Sequence, residues 1–251
     1  AAPGGQTGDN IDDSYGYPWL FESPKSQALF CSIWKRIAEH YADEPTVLGY
    51  DLLNEPIAHF FDNKDELNKH LEPLYMKAAE AIREVDKNHI LILGGAQWNT
   101  NFSVFTNPGF DDKIMYECHT YWTDTTRAVI QKFLDFREKT NLPVYMGETG
   151  ENTNEWIDGF RRLLERNHMG WHFWPYKKML KTSCMVSIKE PKNWNLVVEY
   201  TKKDRSSFAK VRENRPDQNK VRNALNELLD NCKFVECAKN DGYIKALGMQ
   251  P

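Results

Sequence analysis

Residues 48–57 read LGYDLLNEPI. The apolar run up to Leu53 predicts a buried strand, because strands covered on both faces are almost continuously hydrophobic. Asn54 and Glu55 then place polar side chains at the predicted end of that strand. Pro56 ends it, because proline has no amide hydrogen to donate to a sheet. The sequence therefore predicts a strand that holds a carboxylate rigidly at its carboxyl end.

Four further apolar runs have the composition of buried strands, and amphipathic helices separate them. The predicted strands begin near residues 47, 90, 114, 143 and 170, and the predicted helices cover residues 26–41, 67–85, 127–140, 156–167 and 220–231. Such alternation predicts parallel strands joined by helical crossovers. No glycine-rich dinucleotide fingerprint follows a strand, which weakens the doubly wound alternative. The spacing fits the repeating units of a (β/α)8 barrel.

A complete barrel of this type has eight strands, and five are recognisable here. We therefore predict an α/β protein in which residues 1–251 form one barrel domain that lacks its first three β/α units. Only strands 4–8 of the barrel would then be visible. The missing strands lead us to expect that a second polypeptide, or another copy of this chain, completes the barrel.

Composition and charge exclude several classes of function. The 251 residues carry a net charge of −4, which does not suit a protein that neutralises nucleic-acid phosphates. No run approaches the roughly 18 apolar residues of a membrane span. The five cysteines form no CxxC pair and have no zinc-type spacing with histidine, so we expect no metal and no cofactor. Cys232 and Cys237 either pair with each other or both stay reduced.

Polar and aromatic residues gather at the predicted strand ends, where barrels of this kind place their active sites. They are Asn54, Glu55, Trp98, His119, Tyr121, Trp122, Glu148 and Trp174. Glu55 and Glu148 end strands three units apart, so a closed ring places them opposite each other. A single strand-end glutamate usually forms a salt bridge or a helix cap, but two opposed carboxylates suit the hydrolysis of a glycosidic bond.

Three motifs and their spacing resemble family 5 of the glycoside hydrolases. They are LLNEP at residues 52–56, HTYW at 119–122 and YMGETG at 145–150. The opening AAPGGQTGDNIDDSYG resembles the loop after the third strand of that family, and the likeness extends to about residue 200. The resemblance implies a cellulase-like, retaining TIM-barrel enzyme that cleaves β-linked glucan, most simply as an endo-β-1,4-glucanase. A retaining mechanism predicts carboxyl groups roughly 5 Å apart.

The resemblance also implies a role for each matching residue. Glu55 would be the general acid/base, and Glu148 the nucleophile that forms a glycosyl ester. Asn54 would bind the 2-hydroxyl of the attacked sugar, and Tyr121 would hydrogen-bond Glu148. The other implied substrate-binding residues are His119, Trp98, Trp122 and Trp174, with Trp174 as the floor of the sugar subsite.

Several alternatives share these features. Exo-β-1,3-glucanases and mannan- or xyloglucan-active members carry the same motifs, and loop shape decides among them. The family's second-strand arginine and the histidine before its third-strand loop are absent from this sequence, which leaves a carbohydrate-binding protein without turnover as an alternative. Lys177 is the candidate Schiff-base lysine of an aldolase-like lyase, but neighbouring lysines favour a surface role. Family habit leads us to expect a secreted or periplasmic location.

Overall fold

The structure, a computed structural model, describes residues 2–9 and 16–250. The chain divides into two compact units. The first comprises Ala1–Thr149 and Arg162–His172, and the second comprises Gly150–Arg161 and Phe173–Pro251. The single domain over residues 1–251 stays a prediction. Residues 10–15 of the opening loop, on which part of the family resemblance rests, lie outside the described residues.

A five-stranded sheet has its strands in chain order. Its strands are β1 (Gly49–Asp51), β2 (Ile90–Gly94), β3 (Ile114–Tyr121), β4 (Val144–Gly150) and β5 (Trp171–Trp174). β1 pairs in parallel with β2, and β2 in parallel with β3, so that Tyr50 lies opposite Leu91 and Leu91 opposite Ile114. Sequential parallel strands with intervening helices are the arrangement of a (β/α)8 barrel. The predicted fold class, a partial barrel with five strands, is confirmed.

Five helices accompany these strands along the chain. They are α1 (Pro24–Tyr41), α2 (Lys64–Arg83), α3 (Ala96–Asn99), α4 (Arg127–Thr140) and α5 (Asn154–Arg166). α1 begins at a proline, and the Ser23 side chain before it accepts a hydrogen bond from the Ser26 amide. Both features favour a helix start, because they suit the unpaired amides of the first turn. α2 begins three residues earlier than predicted and continues through Pro73.

Apolar faces of the helices form the core of the first unit. α2 buries residues three and four apart, which lie on one helix face: Leu67, Leu71, Leu74, Ala78 and Ile82. α4 does the same with Ile130, Phe133 and Leu134. Each such side chain contributes about 1.5–3 kcal/mol when it leaves water. This burial holds the sheet in the shape that positions the strand ends.

A buried polar network joins β1 to the turn before β2. The Asp86 carboxylate accepts hydrogen bonds from the Tyr50 hydroxyl at 2.5 Å and from the backbone amides of Asn88 and His89 at 2.8 and 3.2 Å. Its Oδ2 also lies 2.5 Å from Nδ1 of the His89 ring. Asp86 is 2% exposed, so these contacts replace its hydration.

The second unit contains a sheet that the sequence patterns did not predict. Its strands are β6 (Lys177–Met179), β7 (Val186–Ile188) and β8 (Ala238–Lys239). β6 and β7 are parallel, and β7 and β8 are antiparallel. The helices of this part of the chain are α6 (Trp194–Thr201), α7 (Phe208–Glu213), α8 (Gln218–Asn231) and α9 (Asp241–Ala246).

Two expectations about the second unit can be compared with the structure. Lys177 directs its ammonium group to the backbone carbonyl of Cys232, which is a structural contact. Cys232 and Cys237 are both free thiols, as are the three other cysteines.

Within the described residues, no helix has the length and apolar character needed to cross a membrane.

Candidate active site

The loop after β1 carries Glu55. β1 ends at Asp51, so the prediction that Glu55 terminates a strand is wrong, although Leu52 and Leu53 after the strand are buried as a strand would be. Glu55 has a left-handed backbone with φ of 49°. That conformation is uncommon outside glycine, and surrounding contacts have to maintain it.

Two buried polar residues near the amino terminus supply those contacts. The Thr7 hydroxyl donates to the backbone carbonyl of Glu55 at 2.8 Å. The side-chain amide of Gln6 donates to the backbone carbonyl of Asn54 at 3.1 Å. The Ile57 amide in turn donates to the Gln6 carbonyl at 2.8 Å. The loop that holds Glu55 is therefore fixed by side-chain and backbone hydrogen bonds to Gln6 and Thr7 rather than by pairing within the five-stranded sheet.

Glu148 lies within β4, two residues before its end. The Tyr121 hydroxyl, on the last residue of β3, donates to Glu148 Oε2 at 2.8 Å. The next residue, Thr149, is fully buried and donates to the Thr120 carbonyl at 2.6 Å. Because successive strand residues point to opposite faces, this contact ties β4 to β3 behind the glutamate.

His119 lies between the two glutamates. Its Nδ1 is 3.0 Å from Glu55 Oε1 and 3.9 Å from Glu148 Oε2. Three side-chain atoms, one each from Glu55, His119 and Glu148, all lie within 4.8 Å of one another. Burial lowers the pKa of His119, but the hydrogen bond to Glu55 and the neighbouring carboxylates outweigh it, so that the pKa lies above its ordinary value.

The same three atoms are close enough to share a metal ion. Each residue already has a partner within the protein, since His119 contacts Glu55 and Tyr121 donates to Glu148. Hydrogen bonds therefore hold the arrangement together without a metal. Within residues 2–9 and 16–250, no other group of three or more histidine, cysteine or acidic side chains comes this close.

Two residues that the sequence analysis did not include among the predicted site residues contact the far side of His119. Asn99 Nδ2 lies 2.7 Å from Glu117 Oε1 and 3.2 Å from His119 Nε2. Both are buried, with 0% and 1% of their surface exposed. Burial, and then the charge of nearby Asp51, raise the pKa of Glu117. A sequence signal existed, because Glu117, His119 and Tyr121 alternate along β3 and so share one face.

The remaining predicted residues occupy varied positions. Asn54 is exposed in the Glu55 loop. Trp122 follows β3 and is 74% exposed, with its ring 5.6 Å from that of Tyr121. Trp98 lies in α3 with a left-handed backbone, and its ring is 4.7 Å from His59. Trp174 ends β5 in the second unit and is 52% exposed. The structure thus brings together Glu55, His119, Tyr121 and Glu148.

Comparison with known proteins identifies similar sequences. The family model described as Cellulase (glycosyl hydrolase family 5) matches residues 14–179. Endoglucanase C of Acetivibrio thermocellus is 25% identical over 221 residues, which cover 64% of this chain and 62% of that protein. An endoglycoceramidase of Hydra vulgaris is 27% identical over 166 residues, or 59% of this chain and 32% of its own length.

Solved structures show the same fold at lower identity. Endoglucanase Cel5A of Thermotoga maritima is 21% identical, with a TM-score of 0.53 over 64% of this chain and 62% of that chain. A further glycoside hydrolase structure is 18% identical, with a TM-score of 0.58 over 74% of this chain and 65% of that one. The chain thus spans about three-fifths of the length of Endoglucanase C.

Proposed function

The chain belongs to glycosyl hydrolase family 5, and from that membership we propose that it hydrolyses β-linked glucan by retaining double displacement, as an endo-β-1,4-glucanase does. The observation that carries the proposal is the spacing of the two glutamates. One carboxylate oxygen of Glu55 lies within 4.8 Å of one carboxylate oxygen of Glu148. Retaining glycosidases need roughly 5 Å between carboxyl groups, whereas inverting enzymes need about 6.5–9.5 Å to admit a water molecule.

The reaction follows from two carboxylates at this distance. Glu148 attacks the anomeric carbon while Glu55 gives its proton to the leaving oxygen, so the glycosidic bond breaks and an ester to Glu148 forms. Water then attacks the same carbon and passes a proton to Glu55. This step breaks the ester to Glu148 and leaves the anomeric carbon with its original configuration. Tyr121 donates to Oε2 of Glu148 and thereby leaves Oε1 for the attack.

We assign sugar binding to the exposed polar and aromatic residues. Asn54 directly precedes the acid/base Glu55 in the same loop and would bond the 2-hydroxyl, a contact that strengthens in the transition state. Trp98 and Trp122 of the first unit are at least partly exposed, and sugar rings present apolar faces to such surfaces. For Trp174 of the second unit, the subsite floor stays what the family resemblance implies.

The relatives suggest which substrate the proposed enzyme would cleave. Structures of Thermotoga maritima Cel5A hold cellobiose or mannotriose, and the Hydra vulgaris relative is an endoglycoceramidase. A β-1,4-linked glucan agrees with the endoglucanase relatives. An exo-β-1,3-glucanase, a mannan- or xyloglucan-active enzyme and a carbohydrate-binding protein without turnover are the competing functions.

The free edge of β1 supports a partner in the barrel. Among the described residues, β1 pairs with a strand on one side only. Leu48, directly before it, is 67% exposed, and Leu29 and Ile33 of α1 are 50% and 41% exposed. Unpaired edges and apolar surfaces of this kind favour association. We propose that a second polypeptide or another copy of this chain covers them.

We also propose, from the family resemblance, that the protein is secreted or periplasmic.

The test compares wild type with Glu148→Ala on carboxymethylcellulose, barley mixed-linkage glucan, laminarin, glucomannan and a glucosylceramide. Glu138→Ala is the matched control, because Glu138 is exposed on α4. We expect hydrolysis of the β-1,4-containing glucans that only Glu148→Ala abolishes. Light scattering with intact mass on the same sample identifies any partner chain.

Each outcome has a defined meaning. An initial product of β configuration, observed by NMR, agrees with retention, and an initial α product contradicts it. Binding of a glycan without hydrolysis would replace the enzyme by a carbohydrate-binding protein. Cleavage of laminarin alone would favour the exo-β-1,3-glucanase.

A further inference from the structure

The buried pair Asn99 and Glu117 contacts the side of His119 that faces away from Glu55. The Asn99 amide nitrogen is 2.7 Å from Glu117 Oε1 and 3.2 Å from His119 Nε2. The other carboxyl oxygen of Glu117 accepts a hydrogen bond from the Tyr145 hydroxyl at 3.0 Å. His119 itself is 3% exposed. Protein atoms therefore decide the hydrogen bonding of this ring.

The donors and acceptors in this chain of contacts determine one another. Glu117 Oε1 accepts, so the nitrogen of the Asn99 amide faces it. The second hydrogen on that nitrogen points to His119 Nε2, which then has to accept. A neutral imidazole carries one hydrogen, which is left on Nδ1, 3.0 Å from Glu55 Oε1.

Protonation of Glu117 does not change these donor and acceptor roles. Glu117 shares a hydrogen bond with Asp51. A protonated carboxyl group has one O–H donor, and it keeps acceptor capacity for Asn99. The Asn99 amide therefore retains its orientation in either protonation state of Glu117.

Two glycines leave space for the pair and confine it. A Cβ added at Gly94 of β2 would lie 2.3 Å from Asn99 Oδ1. One added at Gly147 of β4 would lie 2.2 Å from Glu117 Oε2. Asn99 also has a left-handed backbone, with φ of 56°, which asparagine tolerates better than most residues. Asparagine thus meets both the backbone and the hydrogen-bonding requirement at this position.

We propose that Asn99 and Glu117 are positioning residues that hold His119 as the neutral Nδ1–H tautomer, so that it donates a hydrogen bond to Glu55. Its consequence for catalysis rests on the proposed function: the donated bond fixes the orientation of the Glu55 carboxyl group in both steps. The tautomer itself does not depend on that function.

The test is ¹⁵N NMR of protein labelled at histidine, recorded without substrate as the pH is raised to 9, because the raised pKa of His119 requires an alkaline solution for its neutral form. The His119 signals are assigned by their loss in His119→Asn. We expect an unprotonated Nε2 and a protonated Nδ1 in the wild type. Asn99→Asp replaces the donor by an acceptor, so we expect a proton on Nε2. Asn141→Asp, at the exposed end of α4, adds the same charge and should leave the His119 signals unchanged.

Glu117→Gln separates orientation from charge, because its amide oxygen still accepts from Asn99. We expect this variant to keep the wild-type tautomer, whereas Asn99→Ala should give a mixture. On a glycan that the wild type hydrolyses, Asn99→Asp should lower kcat about tenfold or more at similar KM, because His119 Nδ1 would no longer donate a hydrogen bond to Glu55.

The readouts distinguish the two proposals. A neutral wild-type His119 that is Nε2-protonated or mixed, or a ring that stays doubly protonated up to pH 9, overturns the inference, even where a variant fails to fold. An Nδ1–H tautomer that Asn99→Asp leaves unchanged in a folded protein also overturns it. The expected tautomers in a protein that hydrolyses no glycan would support the inference while refuting the proposed function.

Discussion

Replacing Asp86 by asparagine should remove a stabilising contribution that depends on pH. Burial alone would raise the pKa of this carboxyl group, but hydrogen bonds from Tyr50, His89 and two backbone amides lower it from 3.8 to about 2. Each tenfold change in the protonation equilibrium corresponds to about 1.4 kcal/mol, so the network contributes about 2 kcal/mol of folding free energy at neutral pH.

The direction of the pH dependence follows from the lowered pKa. The contribution is fully present above the unfolded-state pKa near 4 and is lost as the pH falls through about 2. Asp86→Asn should therefore reduce the free energy of unfolding by about 2 kcal/mol at pH 7. The difference from wild type should shrink as the pH is lowered from 5 toward 2.

Urea denaturation followed by tryptophan fluorescence at pH 7, 5, 4 and 3 measures this difference. Asp112→Asn is the matched control, because Asp112 is exposed and the same charge is removed. A difference between wild type and Asp86→Asn that is constant with pH would refute the reasoning. So would an equal loss in Asp112→Asn.

Three further predictions concern the site. Tyr121→Phe should lower kcat about 10- to 100-fold, because a hydrogen bond to a charged group is worth about 1.5–3 kcal/mol; steady-state kinetics with unchanged kcat would contradict this. Glu148→Gly should lose about 10⁴-fold or more in kcat, and azide should restore turnover by forming an α-glycosyl azide, whereas a β-azide or no rescue would argue against Glu148 as nucleophile. Gly147→Ala should displace Glu117 and lower the free energy of unfolding by about 1–3 kcal/mol in urea titration; wild-type stability would show that the strand adjusts.

The sequence contained enough information for the strands and one of the two glutamates. Glu148 lies in a strand that continuous apolar residues and flanking glycines made recognisable. Glu55 is predicted to end a strand, but it lies in the loop after β1. Leu52 and Leu53 are buried like strand residues, yet the chain leaves the sheet after Asp51. A positive φ at a glutamate has no signal in a single sequence, because Gln6 and Thr7, far away in the chain, maintain it.

Asn99 and Glu117 show a second limit. A glutamate inside an apolar strand is readily interpreted as facing solvent, although the alternation of Glu117, His119 and Tyr121 indicates a shared polar face. The position of Asn99 depends on a left-handed turn and on Gly94 at the end of β2, which leaves room for the Asn99 side chain. The sheet of the second unit was missed because its strands are two or three residues long, too short for periodicity to emerge.

All the groups around His119 belong to the first unit, on β3, β4 and the segments that follow β1 and β2. On the proposed function, the atoms that transfer protons lie in these few adjacent segments, and the rest of the chain is free to vary. Loops elsewhere in the chain can lengthen, shorten or exchange aromatic residues while the reacting atoms keep their spacing. On the proposed function, such a chain would be a suitable recipient for grafted loops, and a new glycan preference would require no redesign of the chemistry.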